Sequence, residues 1–455
     1  MKNRPGDAGR LAGDGTSDDA GHWRAPAAEG PVRARVTVPG SKSMTNRALV
    51  LAALADGPGT VTSPLDARDT LLMRHGLAAL GCHIDVSEVS RWHVVPGWAG
   101  EDALVDVGNA GTVMRFLPPA ATLTSVAVAF RGDPRASQRP VGAILAALRE
   151  LGAVIDDGGR DAVPFTVRGG GGLAGGVVTI DASSSSQLVS GLLLAAPRYD
   201  KGVEVRHRGP RAPSAAHIDM TVRMLQAAGA EVEACAQAGT AASGRGHDTW
   251  RVHPGVLRPG DVHIEPDLSN ALPFLAAALA TGGAVTVAGW PAESAQPGEQ
   301  ILGVLTEMGA RCDWQAGGLR VTGTGTVHGV TADLADCPEA TPVVAALAAL
   351  ADSPSRLTGV AHIRQQETDR LAALATEINA LGGDVTELPD GLVVRPRPLQ
   401  AGGQPFATYD DHRLVMAAAV LGLAVPGIDV GNPATVGKTF PSFTGLWTAM
   451  LKGAP

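Results

Sequence analysis

The sequence predicts a mixed α/β chain built from six copies of one unit, with helices inside and sheets outside. Three observations carry this. Ala/Leu-rich helical stretches begin behind short polar segments at Ser41, Asn109, Ser184, Asp267, Pro338 and Asp410, about 75 residues apart; self-similarity at a steady interval marks a repeat architecture. In the same phase, "LAALGCHIDV", "LRELGAVID", "LQAAGAEVE", "LTEMGARCD" and "INALGGDVT" each end a helical run at a glycine: Gly81, Gly152, Gly229, Gly309 and Gly382. Glycine just past a last helical turn takes left-handed backbone without Cβ strain. The helices behind the polar segments, such as "LVSGLLLAA", "LPFLAAALA" and "VVAALAALA", are apolar on every side. Such helices are buried, not laid amphipathically on a surface.

The segments between helices carry strand signals in "VDVGNAG", "VVTIDAS", "VTVAGW" and "GLVVRP", runs rich in β-branched residues and bounded by turn residues. Each unit therefore reads as two helices and several short strands. Residues 1–30 are rich in Gly, Ala and Asp and are expected to form a flexible extension outside the fold.

Totals narrow the function. A chain of 455 residues spans about two to four domains. A net charge of −8 with only 4% aromatic residues argues against general nucleic-acid binding, which calls for a basic domain and stacking platforms. Cys82, Cys235, Cys312 and Cys337 are scattered without a CxxC pair. That predicts a reduced compartment with neither a disulfide framework nor a structural zinc site. No uninterrupted apolar run reaches the roughly 20 residues that a membrane-spanning helix needs. The first residues lack the apolar centre of a secretory signal, and Asp7, Asp14, Asp18 and Asp19 do not suit an organellar transit peptide.

The stretch "GSKSMTNR" sets Lys42 and Arg47 at a helix start, where the macrodipole already supplies partial positive charge. An anion between them would remove the conflict. Helix N-termini bind phosphate and carboxylate through free backbone N–H groups, so six N-termini pointing to one region would build an anion site. Ser and Asp are ordinary caps, but capping does not account for Lys42, Arg47 and Arg413. Arg139 in "ASQRP", Arg370 in "QQETDR" and Lys438 in "VGKTFP" complete a set of cations beside turns or helix starts. Any one alone reads as a solvated surface charge. Together they suit substrates with several negative groups, which arginine grips with a planar fork and lysine as a point charge. The acids Asp69, Glu339 and Glu367 could move protons beside them or simply pair with the arginines. "PGSKS" is not a phosphate-binding Walker A loop, because Ser41 precedes Lys42 and Arg35 stands where that motif needs glycine. His22, His217, His247, His362 and His412 show no metal-ligand spacing, and no nucleophile-elbow motif occurs in a usable context.

In order along the chain, "PGSKSMTNRALVLAALADG", "GNAGTVMRF", "QRP", "SSSSQLVSGLLLAAP", "EPDLSNALPFLAAALATGG", "QQETDRLAAL", "YDDHRLVMAAAV" and "GKTFPSF" together resemble the 5-enolpyruvylshikimate-3-phosphate synthases, in their actinobacterial form. The resemblance covers about residues 31–450. It implies a two-lobed inside-out α/β barrel of six βαβαββ repeats, three per lobe, with one lobe from residues 31–39 plus 265–455 and the other from 40–264. The chain would cross between lobes near Pro39–Gly40 and Ile264–Glu265. It implies a cytoplasmic, monomeric transferase of the shikimate pathway and a glyphosate target. The enzyme would act on phosphoenolpyruvate and shikimate 3-phosphate, with no metal and no organic cofactor. Lys42, Glu339, Glu367 and Asp69 would be catalytic. Lys42, Ser43, Arg47, Ser185, Ser186, Gln187, Ser214, Glu339, His362 and Gln366 would hold shikimate 3-phosphate. Lys42, Gly111, Arg139, Gln187, Arg370, Arg413 and Lys438 would hold phosphoenolpyruvate.

Four positions depart from the family pattern: Glu339 where Asp is more common, Gln366 where many members have Lys, His362 where many have Asn, and His217 where an aromatic is frequent. A sister enzyme, UDP-N-acetylglucosamine enolpyruvyl transferase, would carry a Lys-Asn pair near its start and a reactive cysteine in a mobile loop. Here "SKS" replaces the pair, and Arg131–Pro140 contains no cysteine. Cys337 sits at a helix start, where a thiol pKa can fall, and reads as incidental. An inactive phosphometabolite-binding protein on the same scaffold would not need Lys42, Glu339 and Glu367 together.

Overall fold

The chain's computed structural model describes residues 21–235 and 248–453. Six inner helices begin at the six polar segments: Lys42–Ala53, Gly111–Ala121, Gln187–Ala195, Leu268–Thr281, Thr341–Ala349 and His412–Gly422. Side chains of three of these segments cap their helices. Ser41 accepts from the Met44 N–H, Asp267 from Asn270 and Asp411 from Arg413, each relieving one of the donors that a first turn leaves unpaired. Gly81, Gly152, Gly229, Gly309 and Gly382 follow the outer helices with φ from 90° to 104°, the left-handed stop that their sequence contexts require.

Among the described residues the strands form five four-stranded sheets and one two-stranded sheet. The four-stranded sheets share one plan. An entering strand pairs parallel with the first strand of a unit, as Ala103–Asp106 does with Ala127–Arg131. Two further strands then add antiparallel, here Phe165–Arg168 and Val154–Asp156. Two of these pairings join distant parts of the chain: Asp261–His263 lies against Gly59–Thr62, and Arg33–Val36 against Ala284–Ala288. They close two separate cores. One takes its apolar residues from Met44 to Ile264, the other from Ala25 to Val38 and from Leu268 to Met450.

Each core is filled by three inner helices. Ala48–Leu51, Leu192–Ala195, Phe274–Leu279, Ala345–Ala348 and Leu414–Leu421 are 0–1% exposed. Burying one leucine or phenylalanine is worth roughly 1.5–3 kcal/mol, so the inner helices hold each lobe and the sheets shield them. In one core, Phe274 meets Phe440, Phe443 and Trp447 at centroid distances of 5.6–6.0 Å. That packing docks the last helix, Phe443–Leu451.

One expectation needs correcting. Part of the extension over residues 1–30 is folded onto the lobe. His22–Arg24 pairs antiparallel with Asp429–Gly431, and Ala25 is buried in the core. Backbone pairing and a buried methyl anchor a segment whose composition alone reads as loose. Residues 1–20 lie outside the described residues.

The two chain segments between the cores run side by side. The Ser41 N–H donates to Glu265 O at 2.8 Å, and the Asp267 N–H donates to Pro39 O at 2.9 Å. Gly40 faces Pro266 between them. A Cβ on Gly40 would lie 2.3 Å from Ser63 O and 3.1 Å from Ile264 Cγ2, so backbone must move to admit any side chain. Gly40→Ala is expected to lower stability by about 1–3 kcal/mol, read as a fall in the urea midpoint. An unchanged midpoint would mean that the crossing is loose.

Candidate active site

The starts of the inner helices meet where the two lobes face each other. The Lys42 N–H donates to Asp267 Oδ2 at 3.3 Å, linking the first helix start of one lobe to that of the other. Within a lobe, Asn46 Nδ2 reaches Thr112 Oγ1 at 2.6 Å, and Arg115 Nη1 reaches Gln187 Oε1 at 2.8 Å. In the facing lobe Arg413 Nη2 donates to Ser269 Oγ at 2.9 Å, and its Nη1 donates to Glu339 O at 3.3 Å. Convergence of the helix starts, inferred from the repeat alone, is therefore a property of the fold.

Buried charge concentrates at this meeting point. Lys42 Nζ lies 3.5 Å from Asp69 Oδ2, an oxygen with no hydrogen-bond partner. Arg370, 2% exposed, donates from Nε to Asp411 Oδ2 at 2.6 Å and from Nη2 to Glu367 Oε2 at 3.1 Å. Its Nη1 bonds Gln366 Oε1. Lys438 Nζ donates to Glu367 Oε1 at 2.5 Å and to Asn109 O at 3.2 Å. Arg139 Nη1 donates to Asn109 O at 2.7 Å and stands 3.9 Å from Glu367. Its Nε is buried without a partner. Glu367 thus sits among three cations drawn from both lobes.

The environment sets the protonation states. Burial alone would raise the Glu367 carboxyl, but Lys438, Arg139 and Arg370 outweigh it and hold it well below the ordinary glutamate value. Burial also opposes charge on Glu339. His217, Arg413 and Arg370 overcome that and keep its carboxyl below the usual range. His217 is itself pushed toward the neutral form, first by burial, so the two arginines are the standing charges. Burial brings His362 down to about 4, with Glu339 pulling the other way. At neutral pH Glu367 and Glu339 are therefore ionised, and His217 and His362 are neutral imidazoles. Burial, with Glu339 adding to it, pushes the Cys337 thiol up to about 12. A helix start does not make this thiol reactive.

A cavity opens beside the charges, and Arg139, Ser185, Ser186, Gln187, Ser214, His217, Glu339, His362 and Gln366 all line it. Glu339 Oε2 and His362 Nε2 are buried there without partners. Ser214 reaches the wall with φ 52°, an uncommon conformation for serine, and its N–H is fixed on Ala335 O of the other lobe at 2.9 Å. A methyl group on Gly111 would sit 2.8 Å from Arg139 Nη2 and 2.9 Å from Gln187 Oε1. Any larger residue there would push these side-chain ends aside.

One sequence expectation looks different in three dimensions. Arg47 is 1% exposed and spends its guanidinium on Thr221 Oγ1, Ser43 O, Ser190 Oγ and His217 O, with Phe116 under its plane at 5.0 Å. It braces the wall that carries His217. Ser43 stands beside it, half-buried at the helix start. Three further residues join the site that sequence reasoning does not single out. Arg115 bridges Pro140 O and Gln187, Asp411 anchors Arg370, and Asp267 takes the Lys42 N–H. Each lies at a polar helix start, so its place is visible in the sequence but its partner is not.

The sequence matches the family described as EPSP synthase (3-phosphoshikimate 1-carboxyvinyltransferase) over residues 26–447. It is 47% identical to a 3-phosphoshikimate 1-carboxyvinyltransferase of Mycobacterium ulcerans, over 95% of this chain and 98% of that one. An EPSP synthase structure from Acinetobacter baumannii superposes with TM-score 0.77 at 26% identity, covering 94% of this chain and 97% of that one. A second structure from the same organism, at 24% identity and TM-score 0.74 with the same coverage, shares the fold. Two lobes of small sheets around buried helices, meeting at a polar cleft, are the enolpyruvyl transferase fold. The chain belongs to the EPSP synthase family.

The Glu367 cluster makes a stability prediction. Its carboxyl pKa is depressed in the folded chain, so its contribution is fully present above the unfolded value of 4.5 and is lost as pH falls from there through the folded value. Glu367→Gln removes the carboxylate that Lys438, Arg139 and Arg370 share, leaving Asp411 on Arg370 alone, and is expected to lower stability at pH 7 by about 3 kcal/mol. The gap from wild type should narrow as pH drops below 4.5. Denaturant melts at several pH values read this, and a gap that is constant with pH would contradict it.

Proposed function

We propose that the charged cleft between the lobes is where this transferase brings phosphoenolpyruvate against the 5-hydroxyl of shikimate 3-phosphate. The family's reaction moves the enolpyruvyl group to that oxygen and releases phosphate, a step of the shikimate pathway to aromatic amino acids. The observation that carries the assignment is the buried cluster of Arg139, Arg370, Arg413 and Lys438, with the partly exposed Lys42, beside a cavity with unpartnered polar atoms. Buried cations of one sign are retained where an anion shares them.

Arg139, Arg370, Arg413 and Lys438 are the clamp for the phosphate and carboxylate of phosphoenolpyruvate, with Gly111 giving close backbone approach. Ser185, Ser186, Gln187 and Ser214 are the small polar groups suited to the 3-phosphate and ring of the second substrate. His362 and Gln366 complete that side. Holding C2 of phosphoenolpyruvate near the 5-hydroxyl supplies much of the rate, because orientation replaces a bimolecular encounter.

Glu339, ionised and with a free oxygen on the cavity, accepts the hydroxyl proton, with Lys42 beside it. The hydroxyl oxygen bonds to C2 while C3 takes a proton, giving a tetrahedral intermediate. Loss of a C3 proton then expels phosphate and restores the double bond. Glu367 and Lys42 are the groups for the C3 proton. In the ligand-free site Glu367 is tied to Lys438 and Arg370. An entering dianion competes for those cations, which raises the carboxyl and lets it carry a proton. The fixed cations then stabilise the leaving phosphate; losing one preorganised donor of this kind costs roughly 10²–10³ in rate. We take the lobes as residues 31–39 with 265–455, on which the strand His22–Arg24 docks, and 40–264, acting as a cytoplasmic monomer.

Phosphate release with both substrates present tests the assignment: it should require shikimate 3-phosphate, and Lys42→Met should abolish it while the protein stays folded. Release without the second substrate, or near-normal kcat in the variant, overturns it. Gln366→Lys tests the departure at that position. A charged donor should lower KM for shikimate 3-phosphate by roughly fivefold, whereas loss of the Gln366 acceptor loosens Arg370 and raises KM for phosphoenolpyruvate. An unchanged KM for shikimate 3-phosphate would remove Gln366 from that side of the cavity.

A further inference from the structure

Several contacts between the lobes involve groups that face the substrates. Lys438 reaches Asn109, Arg139 nears Glu367, and Arg135 donates to Gln366 O at 3.3 Å. An anion entering the cleft competes for Lys438 and Arg139. One contact differs. Arg211 Nη2 donates to both carboxylate oxygens of Asp336, at 2.7 and 2.9 Å. Neither residue lines the cavity that holds Ser214 and Glu339. The pair therefore stands outside the wall of that cavity.

Its position along the chain gives the pair leverage. Arg211 lies three residues before Ser214, in a short stretch held by Pro210 and Pro213. Asp336 lies three residues before Glu339, at the entry to the turn Pro338–Ala340 that leads into an inner helix. Between the two, the Ser214 N–H is bonded to Ala335 O at 2.9 Å. An ion pair and a main-chain hydrogen bond thus staple the loop of one lobe that presents Ser214 to the loop of the other that presents Glu339. The side chains are 41% and 33% exposed, so salt can reach them.

We propose that Arg211 and Asp336 are a positioning pair, which sets the distance between the shikimate-phosphate contact at Ser214 and the base at Glu339 when the lobes meet. This rests on the reading of Ser214 and Glu339 as parts of one substrate site. Neither residue touches substrate, and their effect passes through the loops they join.

The test is a cycle of four proteins assayed for kcat and KM beside wild type: Arg211→Ala, Asp336→Ala, the double variant, and the swap Arg211→Asp with Asp336→Arg. Each single variant should lower kcat/KM for shikimate 3-phosphate by about fivefold, the reach of a partly exposed ion pair. The double variant should be no worse than either single one, and the swap should recover much of the loss. Raising salt to about 1 M, where screening acts within some 3 Å, weakens anionic substrates in every protein but should lower wild type by a larger factor than the variants, closing the gap between them. Additive losses, no recovery in the swap, or rates within error of wild type overturn the pairing. A fall in melting temperature that tracks the rates across the set, swap included, reduces the pair to a brace of the fold and also overturns it. If wild type itself does not need shikimate 3-phosphate for phosphate release, the site reading fails and the pair falls with it. If wild type does need it and the variants match wild type, only the pair falls.

Discussion

Like charges cannot be buried together without a counter-charge, and the rest of this structure is arranged around that constraint. Arg139, Arg370, Arg413 and Lys438 are each no more than 7% exposed; Arg370 and Arg413 stand at helix starts that already carry partial positive charge, and Arg139 and Lys438 at the ends of short turns. Without substrate, Glu367 and Asp411 supply the balance, Glu367 at 2.5 Å from Lys438 and Asp411 at 2.6 Å from Arg370. Desolvation makes each ion expensive to leave unpaired, several kcal/mol apiece. The site is therefore stable only because internal carboxylates occupy part of the field that a substrate anion later takes over.

That requirement explains the inverted layering. A conventional α/β protein puts its sheet inside and its helices outside, so the helix ends lie around the rim. Here apolar helices occupy the centre, so their N-termini converge, and the outer sheets need only short half-buried strands. The exposed faces of those strands carry ordinary ion pairs such as Arg395–Asp384, which matter little to stability. The energy lies in the helices, and the charge lies at their ends.

Much of this is legible in the sequence because it is local. Gly81, Gly152, Gly229, Gly309 and Gly382 mark helix stops through backbone strain alone, and all five adopt the left-handed conformation. All-round apolar runs declare buried helices without any partner being known. Lys42 and Arg413 stand out because they oppose a dipole within their own turn. What stays hidden is pairwise. Nothing in "GNAGTVMRF" says that Arg115 will bridge Pro140 and Gln187, and nothing in "YDDHRLVM" says that Asp411 will face Arg370. Arg47 reads as a substrate contact from its position, whereas its partners Thr221 and Ser190 come from segments far along the chain. His22–Arg24 escapes notice for the same reason, since its partner strand is Asp429–Gly431.

The two long-range strand pairings also govern the order in which the chain can assemble during synthesis. Every described strand of the core that spans Met44 to Ile264 has been made once His263 has emerged, so this half can close on itself early. The other core must wait. Arg33–Val36 has no partner until Ala284–Ala288 appears, and His22–Arg24 has none until Asp429–Gly431 is made near the end of translation. Contacts of such sequence separation are slow to form, and strand edges left open in the meantime are prone to aggregate. The half of the molecule that holds Arg370, Arg413 and Lys438 is thus the half whose completion depends on the whole chain.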